Sequence, residues 1–332
     1  MSRKKTMRKF DKKTKAILGI IAGSSRPIGS KEISKRLEEI GIDLVERSVR
    51  YHLKRMNEKG LIRVFWREGR AITKKGLEEL KRATVSDRVG LVSSRIETLS
   101  YSMDFDLEKK SGRVILNVSF FHKSEFNKAL KVMRKVFEKK FSMGDRVVVA
   151  GSGEEIGAIT VPAGKVGFGT LCAINLNGIL LKSGIPVGSR FGGILQIEDF
   201  KPLRFTELIS YGGSTLDPHE IFIRSKMTSV REAVAGSGKI LAGLREIPAV
   251  AVNEAKLVFE KAEKAGFSRP LYIGKPGQEV LGMPVSLEKI GMVIPGGLNP
   301  VAAAGEAGIE TESKALSTLV DYRKLRTFKD LF

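Results

Sequence analysis

The chain has 332 residues, 42% hydrophobic and 29% charged, with 58 Lys+Arg against 37 Asp+Glu and a formal net charge of +21. That balance suits two or three domains with a real core and excludes a disordered chain. The single cysteine excludes an internal disulfide framework and a cysteine-based zinc site, and the longest uncharged run, 16 residues at 166–181, falls short of the roughly 20 apolar residues of a membrane helix.

Residues 2–9, "SRKKTMRK", read as a basic tail. "AILGIIAGSS" then mimics the apolar part of a signal peptide, but Ile17, Leu18 and Ile21 share one helical face. The first element is therefore a helix over about Lys12–Ala22, and the expected location is cytoplasmic. "SSRPIGS" breaks that helix. Ser30 reads as an N-cap, with Glu32 and Ile33 in the next turn, opening a second helix to about Ile40. Gly41 and Asp43 form a turn, and a third helix over about Val45–Lys59 ends at Gly60. "LIRVFW", "REGR" and "RAIT" then make a basic hairpin with Gly69 in its turn, followed by a fourth helix.

Helix, turn, helix and basic hairpin form the winged helix-turn-helix plan, expected over residues 1–88. Val49, Leu53 and Met56 take the apolar face of the third helix, leaving Arg47, Ser48, Arg50, Tyr51, Lys54 and Arg55 to reach bases and phosphates in a major groove. The wing adds Arg63, Arg67 and Arg70 for phosphates or the minor groove. Residues 1–88 hold 25 Lys+Arg against 11 Asp+Glu, so most of the excess charge sits in about a quarter of the chain. The partner expected there is double-stranded DNA.

Residues 89–111 read as a linker, and residues 112–332 as an α/β body. Set against itself at a shift of 124, the body aligns Gly153 with Gly277, Gly167 with Gly291, Asn175 with Asn299, Gly184-Ile185 with Gly308-Ile309, and Ser189 with Ser313. These matches in order point to two diverged copies of one unit, about 112–208 and 238–331, meeting as two lobes around a cleft. The fold class expected is thus α+β or α/β: an N-terminal winged helix-turn-helix, then a two-lobed α/β effector domain built from a diverged internal repeat.

Several motifs carry less than they suggest. "RVVVAGSGEEIG" has dinucleotide-like glycines, but the β-like "AITVPAGKVGFG" follows where a helix should open. "AGSGKIL" lacks the upstream glycine and the Ser or Thr of a phosphate loop. His52, His122 and His219 show no metal-ligand spacing, and "DPHE" at 217–220 reads as an ordinary helix start. Cys172 has no visible base beside it, so a small buried residue is expected rather than a nucleophile. No catalytic constellation emerges, and neither a metal nor a cofactor is expected.

The winged helix followed by "VGFGTLCAINLNGILLKSGIPVGSRFGGILQIED" resembles the NrpR family of archaeal nitrogen-responsive transcriptional repressors, from the DNA module through nearly the whole body. The resemblance implies a homodimer on an inverted-repeat operator and an inducer, 2-oxoglutarate, that releases the DNA. A small dicarboxylate needs cationic donors or backbone amides beside small residues. The segment supplies Gly169, Thr170, Cys172, Asn175, Lys182, Ser189, Arg190 and Gly192 as the expected effector wall. Two other readings stand beside it: a metabolite-processing enzyme fused to a winged helix, and a constitutive DNA-binding protein without effector.

Overall fold

The structure is a computed structural model and describes residues 12–24, 26–81 and 90–332. The expected basic tail at 2–9 and the start of the expected linker lie outside the described residues. Residues 1–88 and 89–332 form two compact units.

In the first unit, α1 (Lys12–Ala22), α2 (Ser30–Glu39) and α3 (Glu46–Glu58) precede a hairpin of β1 (Ile62–Phe65) and β2 (Gly69–Ile72), and α4 (Lys74–Lys81) follows. Its core gathers Ile17, Leu18 and Ile21 of α1, Ile33 and Leu37 of α2, and Val49, Leu53 and Met56 of α3. Each set repeats at three- and four-residue spacing, so each helix buries one stripe. Gly60, at φ +69°, ends α3 in the left-handed conformation that glycine takes without strain. One expectation is corrected here. Gly29, not Ser30, holds the N-cap position of α2, with no side-chain cap. The Ser30 hydroxyl instead donates to Glu46 Oε1 at 2.8 Å, where a carboxylate is a stronger acceptor than the hydroxyl would find donors.

The second unit opens with α5 (Leu91–Ser102), β3 (Arg113–His122), α6 (Phe126–Glu138) and β4 (Arg146–Ala150). A small hairpin, β5 (Glu155–Ile156) with β6 (Ile159–Thr160), leads to β7 (Lys165–Leu171), α7 (Asn175–Lys182), β8 (Gly188–Glu198) and β9 (Lys201–Ser210). Two short helices, α8 (Pro218–Arg224) and α9 (Val230–Ala233), come next. The chain then runs through β10 (Gly238–Pro248), α10 (Val252–Lys264), β11 (Tyr272–Ile273), β12 (Lys289–Pro295), α11 (Asn299–Glu306), β13 (Thr311–Asp321) and β14 (Arg326–Thr327).

Residues 90–111 are not a linker. Val92, Ile96 and Leu99 of α5 are buried in the same core as Leu116 of β3 and Ile179 of α7. Ser93, Ser94 and Ser100 dilute this apolar stripe in the sequence.

Two antiparallel five-stranded sheets carry the unit, ordered β13-β3-β7-β4-β14 and β11-β12-β10-β8-β9. The order strand, helix, strand, strand, helix, long strand recurs along the chain, with β7 and α7 displaced by 124 residues from β12 and α11. The two stretches are not separate lobes, because each gives its last long strand to the other's sheet. β8 pairs with β10, and β13 pairs with β3. Asn175 and Asn299 do matching work at the two junctions. Asn175 accepts from Ile115 N (2.8 Å) and donates to Ile115 O and Cys172 O. Asn299 accepts from Leu241 N (2.8 Å) and donates to Leu241 O and Phe141 O. Each amide thereby satisfies buried backbone groups where a helix start meets the first strand.

Candidate functional site

On the first unit, α3 presents Arg47, Tyr51, Lys54 and Arg55 to solvent, with Ser48 half-buried. Arg50 is exposed but paired, its Nη2 lying 2.6 Å from Glu46 Oε1. The Ser30 hydroxyl and then Arg50 hold the Glu46 carboxyl below its usual range. Arg55 sits over the Tyr51 ring, 5.6 Å from its centroid, so part of the face is pre-ordered by cation–π contact. On the wing Arg63 and Arg67 are exposed, while Arg70 is half-buried and its backbone pairs with Ile28. Cationic side chains therefore cover one helix and one hairpin of a single small unit, a surface suited to a polyanion.

In the second unit the eight expected effector residues do not converge on one point. Cys172 lines a small cavity of about 10 Å³ together with Asn117, Tyr211, Asp217, His219 and Arg245. The others surround it at a distance or serve the fold. Asn175 is committed to backbone, as described. Thr170 is buried on β7 opposite Asn117 of β3, and its hydroxyl has no partner. Gly169 leaves room for Val148 and Leu116, whose side-chain carbons would lie 2.6 and 3.0 Å from an added Cβ. Gly192 does the same for Pro218 and the Tyr211 hydroxyl, at 2.8 and 3.0 Å. Ser189 accepts from Asn177 Nδ2 at 2.8 Å, and Asn177 in turn accepts from Arg245 Nε at 3.3 Å. Lys182 and Arg190, the expected anion partners, are turned elsewhere. Lys182 stands over the Tyr101 ring, and Arg190 lies 3.8 Å from Glu246 over the Phe191 ring.

The cation in this cavity is Arg245, which is 1% exposed. Its Nε and Nη1 donate to neutral acceptors, Asn177 Oδ1 and Leu244 O (3.2 Å), and its guanidinium lies 5.0 Å from the Tyr211 ring centroid and also hydrogen-bonds the Tyr211 hydroxyl. Among the described residues it forms no ion pair. Asp217 lines the same cavity, but its Oδ1 caps α8, accepting from His219 N and Glu220 N. His219 Nε2 donates to Ala242 O at 3.2 Å, which sets its neutral tautomer. Burial pushes the His219 pKa down, so the ring is neutral near pH 7. Burial likewise raises Tyr211, and it pushes Cys172 up to about 12. At that value the thiol is not a nucleophile at neutral pH.

Sequence reasoning missed Arg245, Tyr211, Asp217, His219 and Asn117. Arg245 did leave a signal: it stands with Glu246 as the only charged residues in the buried run from Ile240 to Ile247.

A larger cavity, about 480 Å³, opens between the ends of α6 and α10 and the C-terminal 3-10 turn, among Phe137, Ser142, Asp145, Phe267 and Phe328. Size favours this one for a ligand, and chemistry favours the other. The larger cavity's Arg134 and Lys140 are already paired with Glu138 and Glu263, at 2.8 and 3.0 Å. The small cavity holds a buried guanidinium that forms no ion pair among the described residues, since Asp217, the carboxylate lining it, is committed to capping α8, and that is the stronger call for an anion.

Residues 89–327 match the family model "NrpR regulatory domains NRD1 and 2", and residues 15–80 match the winged-helix domain of ribonuclease R. The chain is 37% identical over 318 residues to the global nitrogen regulator NrpRI of Methanosarcina mazei, covering 96% of this chain and 98% of that one. It is 32% identical to the global nitrogen regulators NrpR of Methanococcus maripaludis and Methanocaldococcus jannaschii, covering 92% and 97% of this chain but only 53% and 56% of theirs. A crystal structure of a nitrogen repressor-like protein from Methanococcus jannaschii superposes with a TM-score of 0.62 at 29% identity, covering 71% of this chain and 98% of that one. A basic winged-helix unit, a two-sheet unit of matching fold and identity along nearly the whole chain agree: the chain belongs to the NrpR family of nitrogen regulators.

Proposed function

We propose that the chain is a ligand-responsive transcriptional repressor of nitrogen-assimilation genes. It binds operator DNA as a homodimer through its winged-helix unit and releases it when 2-oxoglutarate binds the larger unit. One winged helix per chain reads one half-site, and two-fold pairing reads an inverted repeat. The observation that carries the effector half is Arg245, a buried guanidinium without an ion pair among the described residues, at a cavity that small residues of the two recurring stretches line. Those stretches read as copies of one duplicated unit, and both contribute residues to this cavity, Asn117 and Cys172 from one and Arg245 and Gly297 from the other.

At about 10 Å³ the cavity holds roughly one water. A five-carbon dicarboxylate enters only if the walls part. Ile96 of α5 is one wall, and Arg95 ties α5 to the carbonyls of Leu316 and Ser317 on β13. The wall we infer to yield is α5, the first described element of the larger unit. Ligand that binds only the opened state shifts the population toward it, by no more than its differential affinity. The test is a titration of the chain against operator duplex at fixed salt, with and without 2-oxoglutarate. Affinity that falls on adding the ligand supports the reading, and unchanged affinity contradicts it.

A further inference from the structure

The hairpin of the first unit leaves an apolar surface that its own core does not cover. Ile62 of β1 points into the core, but Val64, Phe65 and Trp66 are 48%, 38% and 84% exposed. Trp66 is the only tryptophan of the chain. It opens the three-residue tip between the paired residues Phe65 and Gly69. The tip is closed by a hydrogen bond from Glu68 N to Phe65 O at 3.2 Å, and Arg67 takes a positive φ of 62° to complete it. Small turn-forming residues are the ordinary occupants of such a tip, so an indole there forgoes burial that a shorter side chain would not need.

Arginines frame the indole. The Arg63 guanidinium lies 5.6 Å from the Phe65 ring centroid, Arg67 adjoins Trp66 at the exposed tip, and Arg70 pairs across from Val64. The result is an apolar blade flanked by three arginines and one exposed carboxylate, Glu68, for a net positive edge. Its complement is a surface with anionic ridges and a less polar floor. The minor groove of duplex DNA has that form: phosphates along both rims, sugars and base edges between them. The exposed cations of α3 in the same unit favour the same polyanion.

We propose that Trp66 is an apolar wedge that enters the minor groove and partly unstacks a base step, while Arg63 and Arg67 hold the flanking phosphates. This rests on the DNA-binding reading above and goes beyond phosphate contact by the wing. The indole releases no counterions, so its contribution to affinity is independent of salt, unlike that of an arginine. It also favours sites with an easily kinked pyrimidine–purine step under the wing.

The test uses the full chain and duplexes recovered from a random-sequence pool by selection for binding. Affinity is measured across a salt series for the wild type, Trp66→Ala, Trp66→Phe and Arg67→Ala, with Trp66 emission followed during titration. The proposal expects the solvated indole to be quenched and shifted by duplex. Trp66→Ala weakens binding by about 10-fold or more with the salt slope unchanged, and Trp66→Phe recovers most of the loss. Arg67→Ala lowers the slope by roughly 1. Emission that saturating duplex leaves unchanged, or a Trp66→Ala affinity within about two-fold of wild type, overturns the wedge. So does an indole already buried in the free protein, or a response to anionic phospholipid vesicles but not to duplex. Salt-dependent binding that survives Trp66→Ala intact removes the wedge and leaves the DNA-binding reading standing. Failure of the wild type to bind any duplex removes both.

Discussion

Replacing Arg245 with methionine separates a ligand-holding arginine from a structural one. The side chain is 1% exposed, forms no ion pair among the described residues, and spends its hydrogen bonds on neutral groups, chiefly Asn177 Oδ1 and Leu244 O. Exchanging a buried ion for an apolar side chain of similar length is commonly neutral or stabilising by about 1–4 kcal/mol. Against that, Asn177 Oδ1 and Leu244 O each lose a donor, at about 0.5–1.5 kcal/mol apiece. The net falls between about −3 and +3 kcal/mol, which for a unit of this size moves the melting temperature by at most roughly 10 °C in either direction. Ligand at 100 times its Kd adds about 2.7 kcal/mol to the wild type. The assay is thermal unfolding of both proteins with and without 2-oxoglutarate. We expect Arg245→Met to melt within roughly 10 °C of the wild-type temperature and to gain nothing from the ligand. A variant that melts well below wild type and still shifts with ligand would refute the reasoning, since Arg245 would then be a structural residue remote from the effector.

Four further outcomes follow from the geometry. Arg50→Ala should lower the salt slope of DNA binding by less than Lys54→Ala, whose loss removes roughly one unit, because Glu46 already neutralises Arg50; equal slopes would contradict that pairing in the complex. Asn175→Ala and Asn299→Ala each remove three hydrogen bonds to buried backbone and should each cost about 2–4 kcal/mol in urea unfolding, whereas a loss under about 1 kcal/mol would deny them the junction role. The folded-state pKa of His219 is depressed, so the unfolded chain binds more protons below its ordinary value of about 6.5. Stability should therefore be full above that pH and fall as pH drops toward the folded value, and His219→Gln, which keeps a donor for Ala242 O, should flatten that fall. Cys172, 5% exposed and raised to about 12, should resist alkylation in the native protein and react fully in denaturant; rapid native labelling would mean an accessible thiolate.

The winged-helix unit was legible because each of its helices carries one apolar stripe and its turns carry glycine at the required positions. Ser30 misled because a serine before a helix has two competing uses, and a carboxylate sixteen residues away decided between them. The recurrence at 124 residues was visible in Asn175 and Asn299, each of which bonds both the N–H and the C=O of one residue on the first strand of its stretch, Ile115 and Leu241. The strand exchange was not visible, since a long strand reads alike whether it joins its own sheet or its neighbour's. For the same reason the segment around Cys172 was legible only in part: of its eight expected residues Cys172 alone lines the small cavity, and the cation beside it there went unread. Arg245 lies 73 residues further on, and only the β8–β10 pairing brings its strand into place. Lys182 and Arg190 were nearer in sequence but point to Tyr101 and Glu246.

Reciprocal linkage tests the central claim most directly. The affinity of 2-oxoglutarate for the chain is measured by calorimetry in the absence and presence of saturating operator duplex at one salt concentration, beside the affinity of the duplex with and without saturating ligand. The account predicts that each weakens the other by the same factor. Ligand binding that is indifferent to DNA, or absent altogether, would contradict it.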